Sequence, residues 1–238
     1  MSGAPQYFGR DLEAMSHADG YYRWILREFS PYIRGRILEV GAGSGTLTEK
    51  LLQTGAEHVT ALEPSGNMFP LLQSRFSGNP SVTVRNQYLS VCATEFCSAF
   101  DTVLYINVLE HVEDDRREMA MASECLAVGG HLLIFVPAMT GLFGTADELF
   151  GHFRRYTKTS LLNLFRDLNT EVRRCRYFDV MGMALWWLSF VLIRAKALSP
   201  AMVRLYDRIV VPWVSVLERV TDSWPAGKNL LLVARKRA

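Results

Sequence analysis

Arg36-Ile-Leu-Glu-Val-Gly-Ala-Gly-Ser-Gly45 is the stretch that decides the fold class. The apolar run Ile37 to Val40 reads as a buried strand. Glycines follow at 41, 43 and 45, and Thr46-Leu-Thr-Glu-Lys-Leu-Leu52 has helical spacing. Strand, glycine turn and helix make a nucleotide-binding βα unit, because glycines let the backbone approach a ligand and a helix N-terminus lies beneath it. Two acids qualify the ligand. Glu39, still on the strand, repels a pyrophosphate but suits a cation. Glu63 ends the next apolar run, His58-Val-Thr-Ala-Leu62, roughly 20 residues past the glycines, where a carboxylate accepts hydrogen bonds from ribose hydroxyls. Together they describe a pocket for an adenosine carrying positive charge. S-adenosylmethionine has that character; NAD and FAD do not.

Four blocks then extend the pattern: Leu38-Glu-Val-Gly-Ala-Gly-Ser-Gly45, Leu62-Glu-Pro-Ser65, Phe100-Asp-Thr-Val-Leu-Tyr-Ile-Asn-Val-Leu-Glu-His111 and Leu126-Ala-Val-Gly-Gly-His-Leu-Leu-Ile134. In this order the chain resembles the class I S-adenosylmethionine-dependent methyltransferases. The resemblance implies an α/β fold, a Rossmann-like doubly wound seven-stranded sheet of order 3-2-1-4-5-7-6 with strand 7 antiparallel. It implies S-adenosyl-L-methionine as cofactor and S-adenosyl-L-homocysteine as product. Glu39, Gly41, Ala42, Gly43, Gly45, Glu63, Pro64, Met68, Leu89, Asn107 and Val108 are the expected cofactor residues, Pro64 and Met68 beside the adenine. One departure stands out. Where the family usually carries an acid for the adenine amino group, this chain reads Asn86-Gln-Tyr-Leu-Ser-Val, leaving backbone groups of Leu89 or Ser90 as substitutes.

The chain has 238 residues, enough for a single methyltransferase domain over 1–238. Its net charge of +2, without a Lys/Arg tract, predicts no nucleic-acid partner. Cys92, Cys97, Cys125 and Cys175 lack metal or redox spacing and read as reduced core thiols of a cytoplasmic protein. No signal segment is visible, and residues 1–17 read as a polar lead-in.

Further elements follow in order. Aromatic and aliphatic spacing predicts a helix from Gly20 to Ile33, an N-terminal cap over 18–34. It either packs on the sheet or, as the resemblance suggests, covers the cofactor pocket, which makes Tyr21, Tyr22 and Trp24 candidates at the methyl-transfer site. Helices are expected from Gly66, near Glu113-Asp-Asp115, and over Thr159 to Leu168. Strands are expected at Ser81 to Arg85, Phe100 to Ile106, His131 to Val136, Glu171 to Phe178 and Asn229 to Ala234. Val128-Gly-Gly130 reads as the turn before the fifth strand. Glu113, Asp114 and Asp115 suit helix capping better than metal binding. His111 is a candidate base or a structural residue of the Leu-Glu-His turn.

Thr145-Ala-Asp-Glu-Leu-Phe-Gly-His-Phe-Arg-Arg-Tyr-Thr157 is where the acceptor should be recognised. It resembles a methyltransferase subset with a Gly-His-x-Arg-Arg-Tyr segment. Loops on the ligand face commonly carry function, although Asp147 or Glu148 with an arginine equally makes an internal salt-bridge network. As a functional cluster, His152, Tyr156 and Tyr22 are the catalytic candidates, and Tyr21, Trp24, Glu148, Arg154 and Arg155 the substrate-binding ones. Paired arginines suit a carboxylate or phosphate.

Residues 179–226 form a helical insertion or lid before the last strand. Its apolar run Val180 to Ile193, with about 14 uncharged residues, is short of the ~20 that span a bilayer. Burial against the second helix (Met202 to Val220), a wall of an apolar substrate pocket, peripheral membrane contact and a homodimer face all stay open. The expected reaction is methyl transfer to a small, largely apolar acceptor with an anionic handle, in specialised metabolism. Candidates are C-methylation of a prenyl diphosphate, or O-methylation of a polyketide, sugar or lipid-linked hydroxyl. No metal is indicated, with Mg2+ admitted only for a diphosphate acceptor. A non-catalytic partner subunit and a Rossmann dehydrogenase are the rival classes.

Overall fold

The computed structural model describes residues 18–195, 199–220 and 224–238. The lead-in at 1–17 lies outside them, as do 196–198 and 221–223 of the insertion. The sheet comprises β1 (Arg36–Val40), β2 (His58–Leu62), β3 (Val82–Arg85), β4 (Phe100–Ile106), β5 (Leu126–Pro137), β6 (Thr170–Phe178) and β7 (Asn229–Lys236). Its order is β3-β2-β1-β4-β5-β7-β6, with β7 antiparallel to both neighbours. This is the expected order. β1, β4 and the Leu132–Pro137 part of β5 are largely buried on both faces, so apolar residues predominate there without alternating.

The helices are α1 (Asp19–Phe29), α2 (Thr46–Leu51), α3 (Phe69–Phe76), α4 (Leu89–Cys92), α5 (Asp115–Cys125), α6 (Thr145–Phe150), α7 (Lys158–Asn163), α8 (Val180–Trp186) and α9 (Pro200–Val220). One π-helical stretch, Trp187–Leu192, continues α8. α1 stops before Pro31, and α7 is shorter than its apolar spacing suggests. Val128-Gly-Gly130 is not a turn before β5 but lies within it, where the pairing with β4 slips between Phe100 and Thr102. Gly129 takes a positive φ there. Asp114 caps α5, its Oδ1 accepting from Arg117 N at 3.0 Å. Cys92 and Cys125 are buried thiols, Cys175 is half-buried, and Cys97 is exposed, against the expectation of four core thiols.

The insertion is bound to the sheet through charge. Arg176 on β6 lies 2.9 Å from Glu28 on α1 and 3.3 Å from Glu218 on α9, all three buried or nearly so. The other Glu218 oxygen accepts from Val180 N, the first residue of α8, at 2.9 Å. α1 has no side-chain cap of its own. Asp207 of α9 supplies one, its carboxylate accepting from Gly20 N and Tyr21 N at 2.9 and 2.7 Å. Cap helix and insertion therefore hold each other. Removing one partner of such a network strands buried charge, so Arg176→Met should lower unfolding free energy by about 3–5 kcal/mol in chemical denaturation. A loss under about 1 kcal/mol would mean the network is dispensable.

Candidate active site

The β1 turn, the end of β2 and the segments after β3 and β4 enclose a cleft of about 460 Å3. Gly41 leaves β1 at φ +74°, and a Cβ there would stand 2.5 Å from a Val108 methyl. Only glycine allows the turn to pass so close to the β4 exit. Glu63 is buried at the end of β2; its two oxygens accept from Gly43 N at 2.7 Å and Ser65 N at 2.8 Å. Each oxygen keeps a further lone pair for a ligand hydroxyl. Glu39 is also buried, accepting from Thr48 Oγ1 at 2.6 Å. Burial pushes its carboxyl up to about 8, helped by Glu63 and opposed by the Thr48 hydroxyl. Pro64, Met68, Leu89, Asn107, Val108 and Tyr22 also line the cleft. So does Gln87, whose Oε1 is shielded from solvent without a hydrogen-bond partner.

Beyond the β4 exit lies a second cavity of about 80 Å3. Asn107 and His111 line both spaces and mark their junction. Asn107 holds a φ of +52°, a costly backbone for a residue other than glycine, fixed here by its N–H donating to Phe135 O at 2.8 Å. The second cavity is also lined by Tyr21, Phe150, His152, Arg155, Trp186 and Lys228. His152 meets Asp147 through Nδ1 at 2.7 Å, and its Nε2 lies 3.9 Å from Glu110 Oε1. Asp147 is the third residue of α6; its other oxygen accepts from Gly144 N at 3.0 Å, which turns the carboxylate inward. Burial raises its pKa, but the His152 and Arg155 partners outweigh this and leave it below the ordinary carboxylate value. His111 packs edge-on against His152, with ring centroids 4.7 Å apart. Its imidazole is driven down to about 4, by burial first and by His152 second, and is therefore neutral near pH 7. Ligand atoms of Glu110, His111 and His152 lie within 4.8 Å of one another.

The sequence model of a family described as Methyltransferase domain matches residues 15–174. This chain belongs to that family. It is 29% identical over 172 residues to an uncharacterised methyltransferase of Bacillus mycoides, covering 68% of this chain and 73% of that one. The fold is similar to an S-adenosylmethionine-dependent methyltransferase of Mesorhizobium loti, with TM-score 0.63 and 19% identity over 92% of this chain and 99% of the other. A methyltransferase of Archaeoglobus fulgidus gives 0.61 and 17%, over 89% and 91%.

Within this methyltransferase the residues named from sequence separate into three groups. Glu39, Ala42, Tyr22 and the residues just described surround the cleft or its Glu39 side. Gly45, at φ +83°, faces away from it and packs beneath Leu72 and Phe76 of α3. Tyr21, His152 and Arg155 meet at the second cavity. The others do not reach either space. Trp24 is 2% exposed, packed 3.9 Å between centroids from Phe178 in the core, so it is a packing residue and not a substrate contact. Glu148 points to solvent from α6.

The Arg154–Tyr156 run is explained by backbone pairing. Tyr156 N donates to Pro137 O and Met139 N to Tyr156 O, both at 2.9 Å, so the segment lies extended beside the end of β5. Successive side chains then alternate. Arg154 and Tyr156 point one way, both onto Asp115, at 2.7 and 2.9 Å. Burial raises the Tyr156 phenol far above its ordinary value, with Asp115 adding to it, so it is a structural donor and no base. Arg155 points the other way, 2.8 Å from Asp147 and over the Trp186 ring. Each arginine is thus engaged by a carboxylate of the chain, Arg154 by Asp115 and Arg155 by Asp147.

Sequence reasoning missed Gln87 and Lys228 altogether, and it named Asp147 as a salt-bridge partner for an arginine, as found with Arg155, without the His152 contact. The capping position of Asp147 in α6 was the available signal. No local pattern marked Gln87.

Proposed function

We propose that this methyltransferase uses S-adenosylmethionine to methylate a hydroxyl oxygen on an apolar, lipid-linked acceptor. The observation that carries this reading is the run of three spaces with shared walls. Asn107 and His111 join the cleft to the second cavity, and Tyr21, Trp186 and Lys228 join that cavity to an apolar groove of about 350 Å3 between α8 and α9. The cleft fits the cofactor by its acceptors and its backbone: Glu63 for sugar hydroxyls, Gln87 Oε1 for an amine, and the Gly41 turn for close approach. The chain's lack of an acid after β3 is met, in this reading, by Gln87.

When bound, S-adenosylmethionine supplies an electrophilic methyl group, so the chain has to align an acceptor, exclude water and accept a proton. Asp147 fixes His152 with Nδ1–H donating to its carboxylate, which leaves Nε2 basic. His152 Nε2 would take the proton that the acceptor hydroxyl gives up on methylation. Neutral His111 at the junction orients the hydroxyl. A prenyl diphosphate acceptor loses its support, since Arg154 and Arg155 are committed to Asp115 and Asp147. Labelled cofactor offered hydroxylated polyprenyl or acyl lipids beside isoprenoid diphosphates tests the reading. Label in the lipid ether supports it; label only in a diphosphate product, or in neither, sinks it.

Glu39 adds a pH signature. The neutral acid is the dominant form below pH 8 in the ligand-free protein. Because the shift is upward, its contribution to ligand-free stability is complete below 4.5 and is lost as pH rises through 8. A cationic ligand favours the carboxylate, so binding at pH 6–7 should release a proton and affinity should climb toward pH 8. Calorimetry in buffers of different ionisation enthalpy counts that proton. Glu39→Gln should abolish the release, and an unchanged release in that variant would assign it elsewhere.

A further inference from the structure

We propose that the outer face of the α8–α9 pair docks on an anionic lipid bilayer. α9 turns Val203, Val210, Val211 and Val214 toward the protein and leaves Met202, Leu205, Ile209, Trp213 and Val216 in solvent. Trp213 is 79% exposed, Met202 61%, and Ile193 at the end of the neighbouring π-helical stretch 66%. Trp187, Leu188 and Leu192 are exposed on that stretch as well. Soluble proteins seldom leave so continuous an apolar surface without a partner.

The charge pattern selects the partner. Between Val180 and Val220 the only acids are Asp207 and Glu218, and both are turned inward, onto the α1 N-terminus and onto Arg176. Arg194, Arg204, Arg208 and Arg219 are all exposed, and none makes an ion pair among the described residues. The exposed charges carried by the described residues of α8, the π-helical stretch and α9 are therefore all positive. A second copy of the chain would set arginine against arginine, which opposes a symmetric dimer through this surface. An anionic bilayer meets both features: apolar side chains enter the headgroup boundary, an exposed tryptophan anchors there, and guanidiniums pair with lipid phosphates. Among the described residues no helix is long and apolar enough to cross a membrane, so α9 lies in the plane of the surface. The apolar groove between α8 and α9 opens on this same face. Docking stands whether or not the acceptor is lipid-borne, and its test does not read turnover.

The full chain should co-sediment with vesicles of phosphatidylcholine containing phosphatidylglycerol and stay in solution with phosphatidylcholine alone. The double variant Arg204→Glu, Arg208→Glu should lower the partition coefficient at least ten-fold, as should Trp213→Glu. All three positions lie outside the cleft and the second cavity, so cofactor binding by calorimetry and the melting temperature should match the parent. Failure to bind anionic vesicles, equal binding to both vesicle types, or equal binding by the variants overturns the proposal. So does a stable dimer in sedimentation velocity that Trp213→Glu converts to monomer, which would assign the face to a second copy.

Discussion

His152→Ala should lower turnover by about 10²–10⁴-fold while leaving cofactor affinity within two-fold or so of the parent. The separation follows from position: His152 lines the second cavity but not the nucleoside cleft. Single-turnover kinetics with a hydroxyl acceptor measures the loss, and exogenous imidazole should restore part of it, because the void left in the wall is the size of the missing ring. Asp147→Asn keeps the shape and removes the charge that orients the imidazole. It should cost about 10²-fold in turnover and also some stability, since Arg155 then keeps a buried charge without its carboxylate. A His152→Ala enzyme with parental turnover would remove the histidine–aspartate pair from the chemistry and leave His111 as the remaining candidate at the junction.

Glu63→Ala carries the second large effect, this time on affinity. The substitution deletes the acceptor of two backbone N–H groups, Gly43 and Ser65, together with the group that would meet the sugar hydroxyls. Hydrogen bonds to a charged acceptor contribute about 1.5–3 kcal/mol each, so binding of S-adenosylmethionine should weaken by at least ~10²-fold in calorimetry. Glu63→Gln is the informative companion. An amide has one acceptor oxygen, so either Gly43 N–H or Ser65 N–H loses its partner, and the expected weakening is about 10-fold. Parental affinity in Glu63→Ala would place the nucleoside somewhere other than this cleft.

The parts of this architecture that could be read in the chain are those built from local periodicity. Ile37 to Val40 and Phe100 to Ile106 are mostly apolar, without alternation, because both faces of those strands are covered, and each emerges where it was expected. The Gly41 turn was legible for a related reason: a positive φ is a property of one residue and its bond rotations. The seven-strand order came from resemblance, four blocks in sequence, and not from any spacing within them.

The candidate site was legible on its cofactor side only. Glu39 and Glu63 sit at strand ends, and a strand end in a doubly wound sheet has one destination. Around the second cavity the same logic failed. His152, Arg154, Arg155 and Tyr156 are near neighbours of similar polarity, yet one pair turns to the cavity and the other to Asp115. That division depends on the extended pairing of Tyr156 beside Pro137 and Met139, a contact the local sequence does not announce. Trp24 was likewise a plausible pocket residue until Phe178, distant in sequence, closed over it.

Taken by itself, then, the sequence determined a βα nucleotide unit, two carboxylates suited to a cationic ligand, and a helical insertion too short of apolar length to span a bilayer. Those are one-dimensional properties of strand and helix periodicity and of backbone dihedrals. Only the tertiary structure decided which charges are already matched and which face of the insertion is left over. Both are answers about partners that arrive from elsewhere in the chain: Asp147 for Arg155, Asp115 for Arg154, Glu28 for Arg176, and the α1 N-terminus for Asp207. Side chains without such a partner, Gln87 in the cleft and Trp213 outside, become visible only after those pairings are made.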